Sequence, residues 1–159
     1  MSTREHSIGP AGLDDLPALE RLEAECFGAS VAISPRQFRY LLRSPAASVY
    51  VLRHAGQVAG DAIVVRRRSG GRVFARYYSL AVGPGHRGKG FGRALTVWCM
   101  NALRAEGAQD LTLEVAVENA PAVTLYESLG FRKERRVHDY YGRGEDAWRM
   151  RVDLADGLA

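Results

Sequence analysis

Residues 80–95 read LAVGPGHRGKGFGRAL. The apolar run Leu80, Ala81 and Val82 enters a loop holding Gly83, Gly85, Gly88, Gly90 and Gly92, and an apolar pattern of helical spacing begins at once. Where a strand passes through such a loop into a helix, the first helical turn leaves N–H groups without intrahelical partners. Glycines let that backbone approach a ligand closely. Arg87, Lys89 and Arg93 add positive charge in the same place. The stretch therefore reads as an anion site at a helix N-terminus, suited to a phosphate or pyrophosphate.

Working outward, the 159 residues suffice for one domain with a real core, expected over 1–154, with 155–159 a short tail. Hydrophobic residues make up 47% and charged residues 25%, as in an ordinary globular protein. No apolar run is long enough to span a membrane, and the opening MSTREHS has no apolar signal core, so a cytoplasmic setting is expected. Cys26 and Cys99 each fall on the apolar side of a predicted helix and read as buried thiols, neither a disulfide nor a metal site. The net charge of +4 is concentrated in two runs, Arg66–Arg68 and Arg132, Lys133, Arg135, Arg136. These are solvated faces or an attraction to a polyanion; no interleaved aromatics accompany them, so direct nucleic-acid recognition is not expected.

In chain order, a short strand ending near Ile8 precedes a helix from Leu16 to Phe27, with Leu19, Leu22 and Cys26 on one face. Gly28 to Ile33 is a loop, and Ser34-Pro35 opens a second helix that ends before Pro45. Strands at 48–54, 58–66 and 73–82, joined by short turns, form an antiparallel meander. Gly90 to Glu106 is a helix with Phe91, Leu95, Trp98 and Ala102 on one side. A strand through Leu111, Leu113 and Val115 follows, then a helix capped by Asn119, then strands at 131–137 and 147–154. The order β-α-α-β-β-β-α-β-α-β-β implies an α/β (α+β) fold, a mixed sheet with helices on its faces.

Three glycine motifs compete for the loop. Gly83, Gly85 and Gly88 satisfy G-x-G-x-x-G, but the dinucleotide fingerprint needs the first strand of a βαβ unit, and a meander precedes it here. Gly83 to Lys89 spells the start of a P-loop, yet Gly90 stands where a magnesium-binding Ser or Thr is required. The third, Arg87-Gly88-Lys89-Gly90-Phe91-Gly92, resembles the acetyl-CoA pyrophosphate loop of the GNAT acetyltransferase superfamily, Q/R-x-x-G-x-G/A. Leu113 to Phe131, LEVAVENAPAVTLYESLGF, resembles the second signature of bacterial ribosomal-protein-alanine N-acetyltransferases, as does the tail DYYGRGEDAWRM at 139–150. The likeness is strong from Leu80 to Val152 and loose before Ser79.

The resemblance implies a GNAT fold, a mostly antiparallel sheet of about seven strands with about four helices, and a monomer or homodimer that takes acetyl-CoA and no metal. An amine would attack the thioester directly. The backbone of Leu80, Ala81 and Val82 would polarise the thioester carbonyl, and Gly88, Lys89, Gly90, Phe91, Gly92 and Arg93, with Arg87, would cradle the pyrophosphate. Asn119 would bind the pantetheine arm as well as cap its helix. Tyr126, two turns further on, would donate a proton to the departing thiolate, or else be a core tyrosine. Alternation turns Glu114 away from Leu113 and Val115, where a carboxylate raised by partial burial could serve as general base, or else form an edge ion pair. His138 is a second base candidate, or a solvated histidine. Neither cysteine is expected near the motif strands, so neither is a nucleophile. Tyr140 and Tyr141 resemble the tyrosines that wall the acceptor peptide in N-terminal acetyltransferases.

An α-amine, with pKa about 8, is neutral at pH 7 roughly two hundred times more often than a lysine amine at about 10.4. One modest base therefore suits a protein or peptide N-terminus, possibly ribosomal. The alternatives are a small amine, such as a polyamine, amino acid or antibiotic, and a non-catalytic acyl-CoA-binding module. A small cationic amine would favour an acidic pocket, and apart from Glu118, Glu145 and Asp146 the acids look scattered.

Overall fold

The structure, a computed structural model, describes residues 6–28 and 32–155. Its elements are β1 (His6–Pro10), α1 (Leu16–Phe27), α2 (Pro35–Arg43), β2 (Ala47–His54), β3 (Gln57–Ser69), β4 (Arg72–Val82), α3 (Phe91–Ala105), β5 (Asp110–Ala116), α4 (Ala120–Ser128), β6 (Arg132–Gly142) and β7 (Glu145–Asp153). The strands form a seven-stranded sheet in the order β1-β2-β3-β4-β5-β7-β6. The β4–β5 pair is parallel, because α3 carries the chain back between them, while β1–β2, β2–β3, β5–β7 and β6–β7 are antiparallel. Two-residue loops close the β2–β3 and β3–β4 hairpins: Ala55 and Gly56 at φ 53° and 76°, Gly70 and Gly71 at 57° and 76°. Positive φ at both positions matches the twist of the flanking strands. The element order is the one expected; residues 29–31 of the expected loop and 156–159 of the expected tail lie outside the described residues.

The chain divides into two compact units, one from the N-terminal side to Val65 plus Tyr78–Cys99, the other Arg66–Tyr77 plus the chain from Met100. In the first, Leu19, Phe38, Leu41, Val49, Val51 and Ile63 pack together. Burying a side chain such as Phe38 contributes roughly 2–3 kcal/mol. The start of α2 is fixed by a reciprocal cap: Gln37 N donates to Ser34 Oγ at 3.2 Å and Ser34 N to Gln37 Oε1 at 3.0 Å. In the second unit, Leu111 and Leu113 of β5 stand opposite Val152 and Met150 of β7, all buried.

Three expectations need correcting. The buried line of α3 runs through Phe91, Leu95, Cys99 and Leu103, while Trp98 is 40% exposed. At about 100° per residue, Trp98 falls some 20° beyond Phe91, at the margin of the buried arc. Its ring meets Tyr50 edge-on at 6.1 Å instead. The sixth strand continues past Val137 to Gly142, through an irregularity at which Asp139 has φ 53°. A bulge breaks the alternation by which a strand is read, so Tyr140 and Tyr141 lie on β6. The Arg66–Arg68 run also divides: Arg66 makes two bonds to Glu106, at 2.6 and 2.8 Å, and Arg67 lies over the Phe74 ring at 4.7 Å. Among the described residues no helix is long and apolar enough to cross a membrane.

Candidate active site

In the first unit, β4 ends at Val82, a short 3-10 turn spans Pro84–His86, and α3 begins at Phe91. Gly88 and Gly90 have φ of 76° and 80°, and a Cβ built on either meets nothing within 4 Å. Backbone conformation, not crowding, therefore calls for glycine here, and the space over both residues stays open. Ala94 N donates to Gly90 O at 3.0 Å, so the helical ladder starts at Gly90 and the amides just before Ala94 have no i−4 carbonyl. Open backbone, a helix start and the exposed side chains of Lys89 and Arg93 fit a pyrophosphate. Arg87 turns back, its Nε donating to Val82 O at 3.1 Å.

The Val82 carbonyl also accepts from Cys26 Sγ at 3.4 Å. Cys26 is thus half-buried against a motif strand, contrary to expectation, because α1 lays it on the end of β4. Burial pushes its thiol up, Arg87 opposes this, and Glu23 and Asp61 add to the rise, so the thiol is a poor nucleophile. Glu23, 1% exposed, accepts a hydrogen bond from Ser79 Oγ at 3.0 Å, and Asp61 on β3 is 0% exposed. Glu23 Oε2 and both Asp61 carboxylate oxygens lack hydrogen-bond partners among the described residues. Burial pushes Glu23 up to about 7 despite the Ser79 bond, and burial followed by the charge of Glu23 pushes Asp61 well above its ordinary value. The acids are therefore not all scattered, although this pair is closed to solvent. The available signal was Asp61 inside the apolar run VAGDAIVV.

In the second unit, Leu113 and Val115 face the core and Glu114 the other side of β5, as alternation predicts. The Glu114 side chain is 5% exposed, with Arg149 Nη2 at 2.7 Å from Oε1 and Arg76 Nε at 3.2 Å from Oε2. These are ion pairs of the kind the sequence leaves open for Glu114, and their partners stand in the strands that flank β5, which only the sheet order identifies. Arg76 Nη2 also donates to Tyr140 Oη at 2.8 Å, and Tyr141 Oη donates to the Glu114 carbonyl at 3.2 Å. The two tyrosine rings meet edge-on at 4.8 Å. Burial first, then Tyr140 and Glu114, push the Tyr141 phenol up to about 12, so it stays a donor. Glu114, Tyr140 and Tyr141 thus form one hydrogen-bonded cluster.

Tyr126 is buried on α4, its ring 6.5 Å from Tyr77 and 5.5 Å from Phe131. Asn119 caps that helix, its Oδ1 accepting from Ala122 N at 3.3 Å. His138 is 82% exposed, with Nδ1 3.1 Å from Asp146. The amide of Asp139 and then Arg136 hold Asp146 down to about 2.

A family model described as the acetyltransferase (GNAT) family matches residues 16–131, well over half of the chain. The chain belongs to this family. It is 40% identical over 85 residues to the [ribosomal protein bS18]-alanine N-acetyltransferase of Escherichia coli, covering 51% of this chain and 57% of that protein. It is 30% identical over 116 residues to N-alpha-acetyltransferase MAK3 of Arabidopsis thaliana, covering 72% and 60%. The chain spans about half the length of the curated relatives it matches. Among solved structures, the ribosomal-protein-S18-alanine N-acetyltransferase of Escherichia coli has TM-score 0.81 at 28% identity, covering 98% of this chain and 99% of that one. Arabidopsis NAA60 solved with acetyl-CoA has TM-score 0.83 at 19% identity over 94% of this chain and 99% of that chain, a likeness of fold. The mixed sheet and four helices are those of the GNAT family.

Proposed function

We propose that the chain is an acetyl-CoA-dependent N-acetyltransferase acting in the cytoplasm on the α-amine of a protein or peptide N-terminus, a ribosomal protein among the candidates. Residues 1–154 would work as one acetyl-CoA-binding domain. The acceptor assignment is carried by the relatives, which are named as N-alpha-acetyltransferases or a ribosomal-protein-alanine N-acetyltransferase. The cofactor assignment rests on the left-handed glycines at the start of α3.

Acetyl-CoA, when bound, supplies an activated thioester. Gly88–Arg93 would hold its pyrophosphate on open amides, and Asn119 would bond its pantetheine arm. The backbone of Leu80–Val82 would orient the carbonyl. Tyr126 would hold a proton at its phenol for the thiolate. Glu114 receives the proton lost by the amine through water; each oxygen held by an arginine keeps a second lone pair for this. Tyr140 and Tyr141 wall the first residues of the acceptor.

The test is thiol release from acetyl-CoA with a panel of N-terminal peptides, lysine side-chain peptides and polyamines, the acetylated atom being located by mass spectrometry. Acetyl on the peptide α-amine is expected. Release with polyamines alone, or acetyl confined to lysine Nζ, refutes the acceptor; tight CoA binding with no release refutes the enzyme.

A further inference from the structure

The sheet register of the second unit aligns three residues in one row. Glu114 of β5 stands opposite Arg149 of β7, and Arg149 stands opposite Arg135 of β6. Residues directly opposite in antiparallel strands share a face. Arg76 reaches the same row from β4 through Glu114 Oε2. Two guanidinium groups therefore meet one carboxylate that is almost closed to solvent, and a third, Arg135, stands in the same row. Among the described residues no carboxylate pairs with Arg135, which is exposed. The neighbouring row supplies its own acids, since Arg151 and Arg132 have Asp110, Asp153 and Glu134 within reach. The row thus holds three arginines to one carboxylate, and two of its members touch the tyrosines: Arg76 donates to Tyr140 Oη and the Glu114 carbonyl accepts from Tyr141 Oη.

Like-charged side chains directly opposite each other weaken a sheet unless something offsets them. Arg149 has Glu114; among the described residues Arg135 has no carboxylate of its own. A guanidinium presents a planar fork of donors that matches a carboxylate.

We propose that this row selects the acceptor: it docks a peptide carrying an Asp or Glu side chain within the first few residues after its N-terminus, with Arg135 as the principal contact. This deepens the N-terminal acetyltransferase reading and rests on it. Exposed ion pairs of this kind change affinity by about two- to fivefold, and salt screens them.

The experiment uses full-length protein loaded with CoA and peptides of one N-terminal residue that differ only downstream, bearing Asp or Glu, Gln, or Lys. Binding is measured by fluorescence anisotropy and turnover by thiol release, at low and high salt, for wild type, Arg135→Gln and Arg135→Glu. Expected are two- to fivefold tighter binding of acidic over neutral peptides, erosion of that preference by salt, its loss in Arg135→Gln and its reversal toward lysine peptides in Arg135→Glu. Equal binding of all peptides, or a preference untouched at Arg135, overturns the proposal. A short RNA that displaces the acidic peptide only in wild type would also overturn it, assigning the row to phosphates. Acidic peptides that bind through Arg135 but are never acetylated would leave the docking row standing and sink the transferase reading instead.

Discussion

Replacing Glu23 by Gln should change how stability depends on pH, and the size follows from where that carboxyl sits. Glu23 ionises near its ordinary 4.5 in the unfolded chain and near 7 when folded. Between those values the folded state holds the extra proton, so this contribution is complete below about 4.5 and is lost as pH rises through about 7. The gap corresponds to about 3 kcal/mol in all, of which about 2.5 kcal/mol is lost between about pH 5 and pH 8.5. Gln keeps an oxygen for the Ser79 hydroxyl, which lies 3.0 Å from Glu23 Oε1, and never ionises. Asp61 titrates in both proteins, and removing the neighbouring charge eases it only in the variant, which widens the difference. Urea unfolding of both proteins across this pH range is the assay. Any constant offset from packing cancels, because only the change with pH is read. The variant should gain about 2.5 kcal/mol on wild type from the acid to the alkaline end. A difference that stays flat with pH, or narrows as pH rises, would refute the reasoning.

Gly90→Ala places a side chain at φ 80°, in open space, so the loss is conformational, roughly 1–2 kcal/mol. Calorimetry should show CoA binding weakened about five- to thirtyfold; unchanged affinity would remove the loop from the cofactor site. Tyr126→Phe should lower kcat about a hundredfold, the scale of general-acid catalysis. Equal turnover would leave Tyr126 a core residue only. Arg149→Gln removes a positive charge beside the position assigned to the amine, so the acid limb of kcat against pH should move up by about half a unit. A limb that does not move, or moves down, contradicts that placement.

Much of the architecture was legible because its signals are local. Ser34-Pro35, Ala55-Gly56 and Asn119 mark boundaries through backbone chemistry that needs no tertiary context, and α1 begins and ends where its apolar period does. The loop glycines were legible for the same reason. What could not be read depends on register or on packing between distant segments. Trp98 lies on the margin of a wide buried arc, and helical period alone does not locate the centre of such an arc. Asp139 at positive φ re-aims the chain, so strand alternation stops before the tyrosines it carries. Arg76 and Arg149 are far from Glu114 in sequence and meet it only because β4 and β7 flank β5. Cys26 reaches Val82 only because α1 lies on the end of β4.

The arginines also bear on how Glu114 can serve an amine. A lone buried carboxylate beside the acceptor would stabilise the ammonium form, which cannot attack a thioester. In this structure both carboxylate oxygens are already engaged by guanidinium groups, and the row as a whole carries excess positive charge. On the proposed function, an acceptor amine in that field would be pushed toward its neutral form, while Glu114 keeps lone pairs through which a proton can leave. An α-amine of pKa about 8 is neutral in roughly one molecule in ten at pH 7, and lowering it by about one unit brings that to about half. The same displacement leaves a lysine amine neutral in fewer than about one molecule in a hundred. On our reading, then, the site needs no strong base, because the charges around Glu114 select the protonation state at binding. The amine that benefits is the one whose pKa already lies within reach of neutrality.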